Sequence, residues 1–281
     1  MSKNRRPNIF QMNSPLQFLR DCLHNWADAI LMDISYSKRF QEKEAVTTYE
    51  TGEYAAGGYA ASIWDLQRPV LEKILEDFQL RRSEPVRLLD FACGTGRVLA
   101  VLEKFADSAE GIDISENMVA LARGKCRKAR LQVGDILLRP ELLQKDYDVI
   151  SCFRFILNVE PATRGQILSR LRQVLHPDGI LLVNIHGNSC SLRHPAILWR
   201  RGRRRGANPD LMLNEMSPGA ARKLLVENGF EIVRQLGFGM MPPTLYRTPL
   251  RGLAGVGDRW LAGENCWKNW SVDMLFICRP R

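Results

Sequence analysis

The stretch LLDFACGTGRV, residues 88–98, most narrows what this chain can become. A short apolar run passes through a turn of small residues and opens into a helical pattern. This is a buried strand delivering backbone N–H groups and a helix N-terminus to one point, where an anionic or polar ligand is favoured. Gly94 and Gly96 let backbone approach such a ligand closely. A dinucleotide fingerprint G-x-G-x-x-G would require glycine at 92, 94 and 97, and the chain has Ala92, Gly94 and Arg97.

Around this turn the chain alternates short β-rich runs with amphipathic helical patterns, the sequence signature of βαβ units and a parallel sheet. Strands are expected over 86–92, 109–115, 130–136, 147–153 and 179–186, with later strand-forming runs at 231–239 and 272–279. Helices are expected over 97–106, 116–127, 161–175 and 217–228. The third opens on Pro161 and stops before a His-Pro-Asp-Gly turn, and the fourth opens on Ser217-Pro218 and stops at Asn228-Gly229. Residues 1–85 read as a helical cover, with apolar residues at helical spacing from Leu16 to Ile30 and from Ile63 to Phe78. The intervening 47–62, rich in tyrosine and glycine, reads as a segment that folds over a ligand or as an interhelical loop. Two long inserts, 188–214 and 240–271, are expected as loops that set specificity.

Three acids end successive strands. Asp90 closes the first, Asp113 the second roughly twenty residues beyond the turn, and Asp135, in Gly134-Asp135-Ile136, the third. A carboxylate at the position of Asp113 suits the two hydroxyls of a ribose, and Asp135 with the next N–H suits the edge of an adenine ring. Ligands of open α/β sheets bind at these carboxyl ends.

Taken in order, these motifs resemble class I S-adenosylmethionine-dependent methyltransferases, in their small-molecule and lipid- or sugar-modifying branch. The likeness covers 86–187 well and 215–239 with 272–279 more loosely. It implies a Rossmann-like α/β fold, a mostly parallel seven-stranded sheet with an antiparallel last strand, carried by 86–281 under the N-terminal cover. It also implies S-adenosylmethionine as cofactor. Asp90, Ala92, Cys93, Gly94 and Gly96 would hold its methionine part, Asp113 its ribose, Ile114 and Met118 the adenine faces, and Asp135 and Ile136 the adenine edge. Cys152, Phe153 and Arg154 would stand near the sulfonium and the acceptor. His186, at the end of the fifth strand, is the expected general base, with Arg154 as a catalytic partner and Tyr54, Tyr59 and Trp199 as acceptor contacts. Ala92 departs from the usual glycine.

The expected reaction is O-methylation of a small-molecule, glycolipid or saccharide acceptor. A nucleic-acid methyltransferase, a nicotinamide-dependent oxidoreductase and a non-catalytic binding protein are the alternatives. Net charge of +9 favours polyanions, and six arginines between 193 and 205 carry most of it, since without them the charge falls to +3. Arg200, Arg201, Arg203, Arg204 and Arg205 beside Ile197, Leu198 and Trp199 suit an anionic membrane surface more than nucleic acid. Seven scattered cysteines without a C-x-x-C pair, and four histidines without ligand spacing, suggest neither a disulfide framework nor a metal site. With no apolar run of about 18 residues and no signal-like start, a cytoplasmic, at most peripherally membrane-associated protein is expected.

Overall fold

A computed structural model describes residues 58–195, 215–246 and 248–281. The expectations for Tyr54, Trp199, Arg200, Arg201, Arg203, Arg204 and Arg205, for the helices before residue 58, for 47–57 of the tyrosine- and glycine-rich segment and for 196–214 of the first insert lie outside these residues.

The described chain opens with α1 (Tyr59–Gln79) and then enters a seven-stranded sheet made of β1 (Arg87–Phe91), β2 (Ser108–Asp113), β3 (Arg130–Val133), β4 (Tyr147–Phe153), β5 (Leu175–Ile185), β6 (Phe230–Phe238) and β7 (Asp273–Pro280). The spatial order is β3-β2-β1-β4-β5-β7-β6. The first five strands run parallel, and β7 is antiparallel to both β5 and β6. Between them lie α2 (Leu99–Leu102), α3 (Glu116–Lys125), α4 (Pro161–Val174) and α5 (Pro218–Glu227).

Both faces of the sheet are covered, so successive strand residues enter opposite cores. Leu89 packs with Leu181, Phe276 and the α4 residues Ile167, Leu168 and Leu171. Leu88 packs with Leu182, Leu275 and the α1 residues Leu71 and Leu75. The apolar spacing read from 63 to 78 is therefore the stripe by which α1 lies on the sheet. Helix starts follow local chemistry, in which a hydroxyl satisfies an N–H of the first turn. Ser115 Oγ accepts the Met118 N–H (3.3 Å) and Ser217 Oγ the Ala220 N–H (3.1 Å).

Four expectations need correction. The segment 47–62 is not a loop to its end, because α1 already begins at Tyr59. The His-Pro-Asp-Gly segment does not separate α4 from its strand: β5 already pairs at Leu175 with Tyr147, bulges, and resumes at Ile180 opposite Val149. Likewise β3 ends at Val133, which leaves Asp135 in the following loop. Finally, 240–271 is not a plain loop, because it forms α6 (Pro243–Tyr246) and α7 (Arg251–Leu261). Three glycines in α7 hid it, each disfavouring a helix by about 0.5–1 kcal/mol. Tertiary anchoring overrides that penalty: Asp258, wholly buried, accepts the N–H groups of Met240 (2.6 Å) and Met241 (2.8 Å) and the Tyr246 hydroxyl.

Candidate active site

The turn after β1 is built from backbone in the left-handed region. Ala92 (φ 56°), Gly94 (φ 53°) and Gly96 (φ 76°) all lie there. Of the three, only the alanine meets a steric penalty, about 1 kcal/mol. The two glycines differ in purpose. A Cβ on Gly96 would stand 2.9 Å from both Ala122 Cβ and Cys126 Sγ, so this glycine lets the turn close against α3. A Cβ on Gly94 would meet nothing within 4 Å and would project into open space.

Two carboxylates lie in the strands beside this turn, Asp90 within β1 and Asp113 at the end of β2. Asp113 is fixed by the Gly94 N–H on Oδ2 (2.8 Å) and the Ser115 N–H on Oδ1 (2.9 Å). A carboxylate oxygen accepts more than one hydrogen bond, so both oxygens keep acceptor capacity. Burial nonetheless raises the proton affinity of Asp113 above the ordinary carboxylate range. Asp90 is buried, with the Ser151 hydroxyl donating to Oδ1 (2.5 Å) and no hydrogen-bond partner for Oδ2. Burial chiefly, with the Asp113 charge adding to it, pushes Asp90 up to about 7 against the Ser151 hydrogen bond, the Leu99 N–H and the Arg97 charge. An orphaned, buried carboxylate oxygen beside a backbone cradle is the complement of a cationic group.

The third acid turns on itself, Asp135 Oδ1 accepting the Leu137 N–H (2.8 Å). Ile114 is partly exposed at the rim, whereas Met118 and Ile136 are buried. Cys93 and Ile136 belong to the two cores, and the Cys93 backbone is engaged as well, its N–H donating to the Ile112 carbonyl (3.1 Å) and its carbonyl accepting the Gly96 N–H (3.0 Å).

A cleft opens between α1 and the carboxyl edge of the sheet, lined by Ala60, Ile63, Trp64 and Gln67 on one side and Arg97, Phe153, Arg154, Asn184 and Asp273 on the other. Arg154 follows β4 at φ 54°, a second strained non-glycine residue on an adjacent strand end. Asp273 is buried at the start of β7, its Oδ1 accepting from Asn184 Nδ2 (2.8 Å) and, at 3.5 Å, from Gln67 Nε2. Burial raises its proton affinity, while Arg154, the Asn184 and Gln67 amides and Arg193 oppose the rise. Two arginine–aromatic contacts, favoured by the negative face of the ring, tie α1 to this edge. Arg97 lies 5.3 Å from the Trp64 ring centre and Arg193 lies 4.8 Å from that of Tyr59.

His186 is not among the residues lining the cleft. Its Nδ1 is buried without a hydrogen-bond partner, and burial together with Arg154 lowers its basicity well below the ordinary value. Sequence reading did not single out Trp64, Gln67, Asn184 or Asp273. The signal for Asp273 was available: an antiparallel last strand begins where the parallel strands end.

Residues 64–235 match the model of a family described as a methyltransferase domain, and the chain belongs to that family. Its sheet order and antiparallel final strand are those of the class I S-adenosylmethionine-dependent methyltransferase fold. Among curated relatives, the ubiquinone biosynthesis O-methyltransferase of Pelagibacter ubique is 32% identical over 122 residues, 41% of this chain and 50% of the relative. The dTDP-3-amino-3,6-dideoxy-alpha-D-glucopyranose N,N-dimethyltransferase of Streptomyces fradiae is 33% identical over 108 residues, 37% of this chain and 42% of the relative. The chain spans about half the length of the curated relatives it matches. Among solved structures, the plantazolicin methyltransferase in complex with a desmethyl analog and SAH superposes with a TM-score of 0.57 at 14% identity, covering 92% of this chain and 98% of that one. At that identity the likeness speaks for the fold.

Proposed function

We propose that the protein transfers a methyl group from S-adenosylmethionine to an oxygen of a small-molecule, lipid-linked or saccharide acceptor. What supports the cofactor reading is the open space at Gly94, whose N–H fixes Asp113, together with the unpartnered Oδ2 of Asp90 in the strand that leads into this turn. These residues fit the cofactor, which supplies a methyl carbon made electrophilic by a sulfonium.

In this reading the backbone of 92–96 and the Asp90 carboxylate hold the charged methionine end, and Asp113 accepts from the ribose hydroxyls. Ile114 and Met118 border the adenine, with Asp135 and the Ile136 N–H at its edge. Phe153 and Arg154 close the site toward the acceptor, and α1 covers it through Tyr59, Trp64 and Gln67, excluding water from the transfer. Asp273 receives the acceptor proton. It lines the cleft and its buried carboxylate is more basic than an ordinary one, which suits a hydroxyl acceptor. His186, weakly basic and outside the lining, is the poorer base. The family match and the antiparallel last strand support this reading over a nicotinamide-dependent oxidoreductase.

Calorimetric titration with S-adenosylhomocysteine tests the pocket without any acceptor. Wild type binds, and Asp113→Ala loses about 1–3 kcal/mol of affinity, the scale of a charge-assisted hydrogen-bond pair. Absence of binding by the wild type would overturn the cofactor assignment; an unchanged affinity in the variant would remove Asp113 from the ribose.

A further inference from the structure

We propose that the outward face of α7 is a membrane-docking surface that lies in the headgroup region of an anionic lipid leaflet. Leu253 (71% exposed), Val256 (53%) and Trp260 (86%) form one stripe at helical spacing, and Leu250 (51%) precedes it at the helix start. Elsewhere among the described residues the most exposed aliphatic side chains, Leu80 and Leu138, stand singly, as surface leucines ordinarily do. Four large apolar side chains within eleven positions are a patch that calls for a covering phase.

The helix cannot turn to bury them. Its inward face carries Ala254 and Asp258, both buried, and Asp258 holds the Met240 and Met241 N–H groups and the Tyr246 hydroxyl. Rotation would strip three donors from a buried carboxylate in order to hide the leucines. The stripe thus faces outward as a consequence of the fold.

Charge selects the occupant. Residues 240–271 contain Arg247, Arg251, Arg259 and Lys268 against two acids. One acid is the buried Asp258, and the other, Glu264, lies 2.9 Å from Arg234 and 3.9 Å from Lys268. An apolar stripe with a tryptophan in a segment of basic composition suits an in-plane interfacial helix, where each basic residue near an anionic surface adds about 1 kcal/mol. A second copy of this chain is less suited, because a two-fold contact would set like charges against each other. Eleven residues rise only about 16 Å, so α7 lies in the interface, and none of the described helices is long and apolar enough to cross a membrane. Trp267 and Trp270, half-exposed and 5.3 Å apart, follow closely in the chain.

The location gives the contact a consequence. β6 runs parallel to β5, so the chain leaves it at the same edge as the cleft, and α7 packs on α1, which lines that cleft. Docking through α7 would hold the cleft beside the bilayer surface, within reach of an acceptor carried by lipid.

The test is sedimentation of the full chain with vesicles of phosphatidylcholine alone and of phosphatidylcholine with phosphatidylglycerol at physiological ionic strength. The wild type should pellet with the anionic vesicles, with tryptophan fluorescence quenched by brominated acyl chains. Leu253→Ser combined with Trp260→Ser should lower partitioning on the order of tenfold and reduce the quenching. Both side chains are solvent-exposed, so thermal midpoint and S-adenosylhomocysteine affinity should stay at wild-type values and certify the fold. Wild type remaining in the supernatant, or a double variant that partitions like wild type, would overturn the proposal. So would a wild-type dimer that dissociates on the double substitution, since the occupant would then be a second copy.

Discussion

The two edges of the sheet both gather acids and treat them differently. At the amino edge Glu103 takes the N–H groups of Arg127, Lys128 and Ala129 at 2.9, 3.0 and 2.9 Å, Asp107 takes that of Val86 at 2.7 Å, and Asp148 takes that of Arg87 at 2.8 Å together with the Arg82 guanidinium. These carboxylates end as loop clasps. At the carboxyl edge Asp90 keeps an oxygen without a partner, Asp113 is oriented by two N–H groups with acceptor capacity left, and Asp273 faces a cleft. The comparison separates acids that hold the fold from acids the fold holds ready. Burial does not sort them, since Asp148 is about as buried as Asp90; what sets Asp90 apart among these carboxylates is a buried oxygen with no hydrogen-bond partner.

The largest effect that could break this comparison is at Asp273. Asp273→Asn retains the shape and an amide oxygen, and it abolishes the proton acceptor. Turnover with any acceptor used by the wild type should fall by about 10²–10⁴, the scale of general-base catalysis, with S-adenosylhomocysteine affinity unchanged. If turnover survives, or if cofactor affinity falls in step, Asp273 is another clasp and the two edges are less distinct than their hydrogen bonds imply.

The two glycines of the first turn sharpen the contrast close to Asp90. Gly94→Ala puts a methyl group into empty space at φ 53° and directly obstructs the cradle. The left-handed backbone adds strain of about 1–2 kcal/mol. Gly96→Ala drives a methyl group into Ala122 and Cys126. There overpacking of about 1–3 kcal/mol is added to the same strain. Urea unfolding should therefore report the greater loss of stability at Gly96, and calorimetry the greater loss of S-adenosylhomocysteine affinity at Gly94. The reverse pattern would mean that the open space at Gly94 is not where the ligand lies.

What the sequence revealed follows the same division. The proposed cofactor edge is assembled locally, each acid lying within a strand or its following turn, so periodicity and spacing nominated Asp90, Gly94, Asp113 and Asp135 as candidates from the chain alone. The strands were legible on different grounds: β4, buried throughout, as a nearly continuous apolar run, and β3, RLQV with no buried residue, only as a short β-rich run between helical patterns. The cleft is assembled from afar. Gln67, Asn184 and Asp273 meet across 206 residues of chain, and nothing in their local sequences announces the meeting. His186 drew attention because imidazole is the usual base near neutrality. Burial beside Arg154, which disfavours its charged form, is a tertiary fact. The helix α7 was hidden by its glycines, whose low propensity is overridden by a buried aspartate at position 258.

The smallest effect is the most specific to the unpaired oxygen. Asp90 sits at about 7 in the folded chain, raised by burial from the ordinary 3.8. Between those values the folded state binds a proton that the unfolded state has released. Its contribution to stability is therefore complete below the unfolded value and is lost as pH rises toward 7 and beyond. A cationic ligand at Oδ2 reverses the preference, because it requires the carboxylate ionised. Below about pH 7 binding must expel the proton, and S-adenosylhomocysteine affinity should weaken toward tenfold per pH unit; above it the dependence should level off. Thermal shift by the ligand should accordingly be greater at about pH 8 than at about pH 6. Asp90→Asn should flatten this profile, bind more weakly at the higher pH, and make the ligand-free protein more stable there, since the desolvation cost of a buried charge is then removed. A profile that stays steep in Asp90→Asn would assign the proton to Asp113, whose carboxylate is also raised, and would leave the orphaned oxygen of Asp90 outside the contact with the ligand.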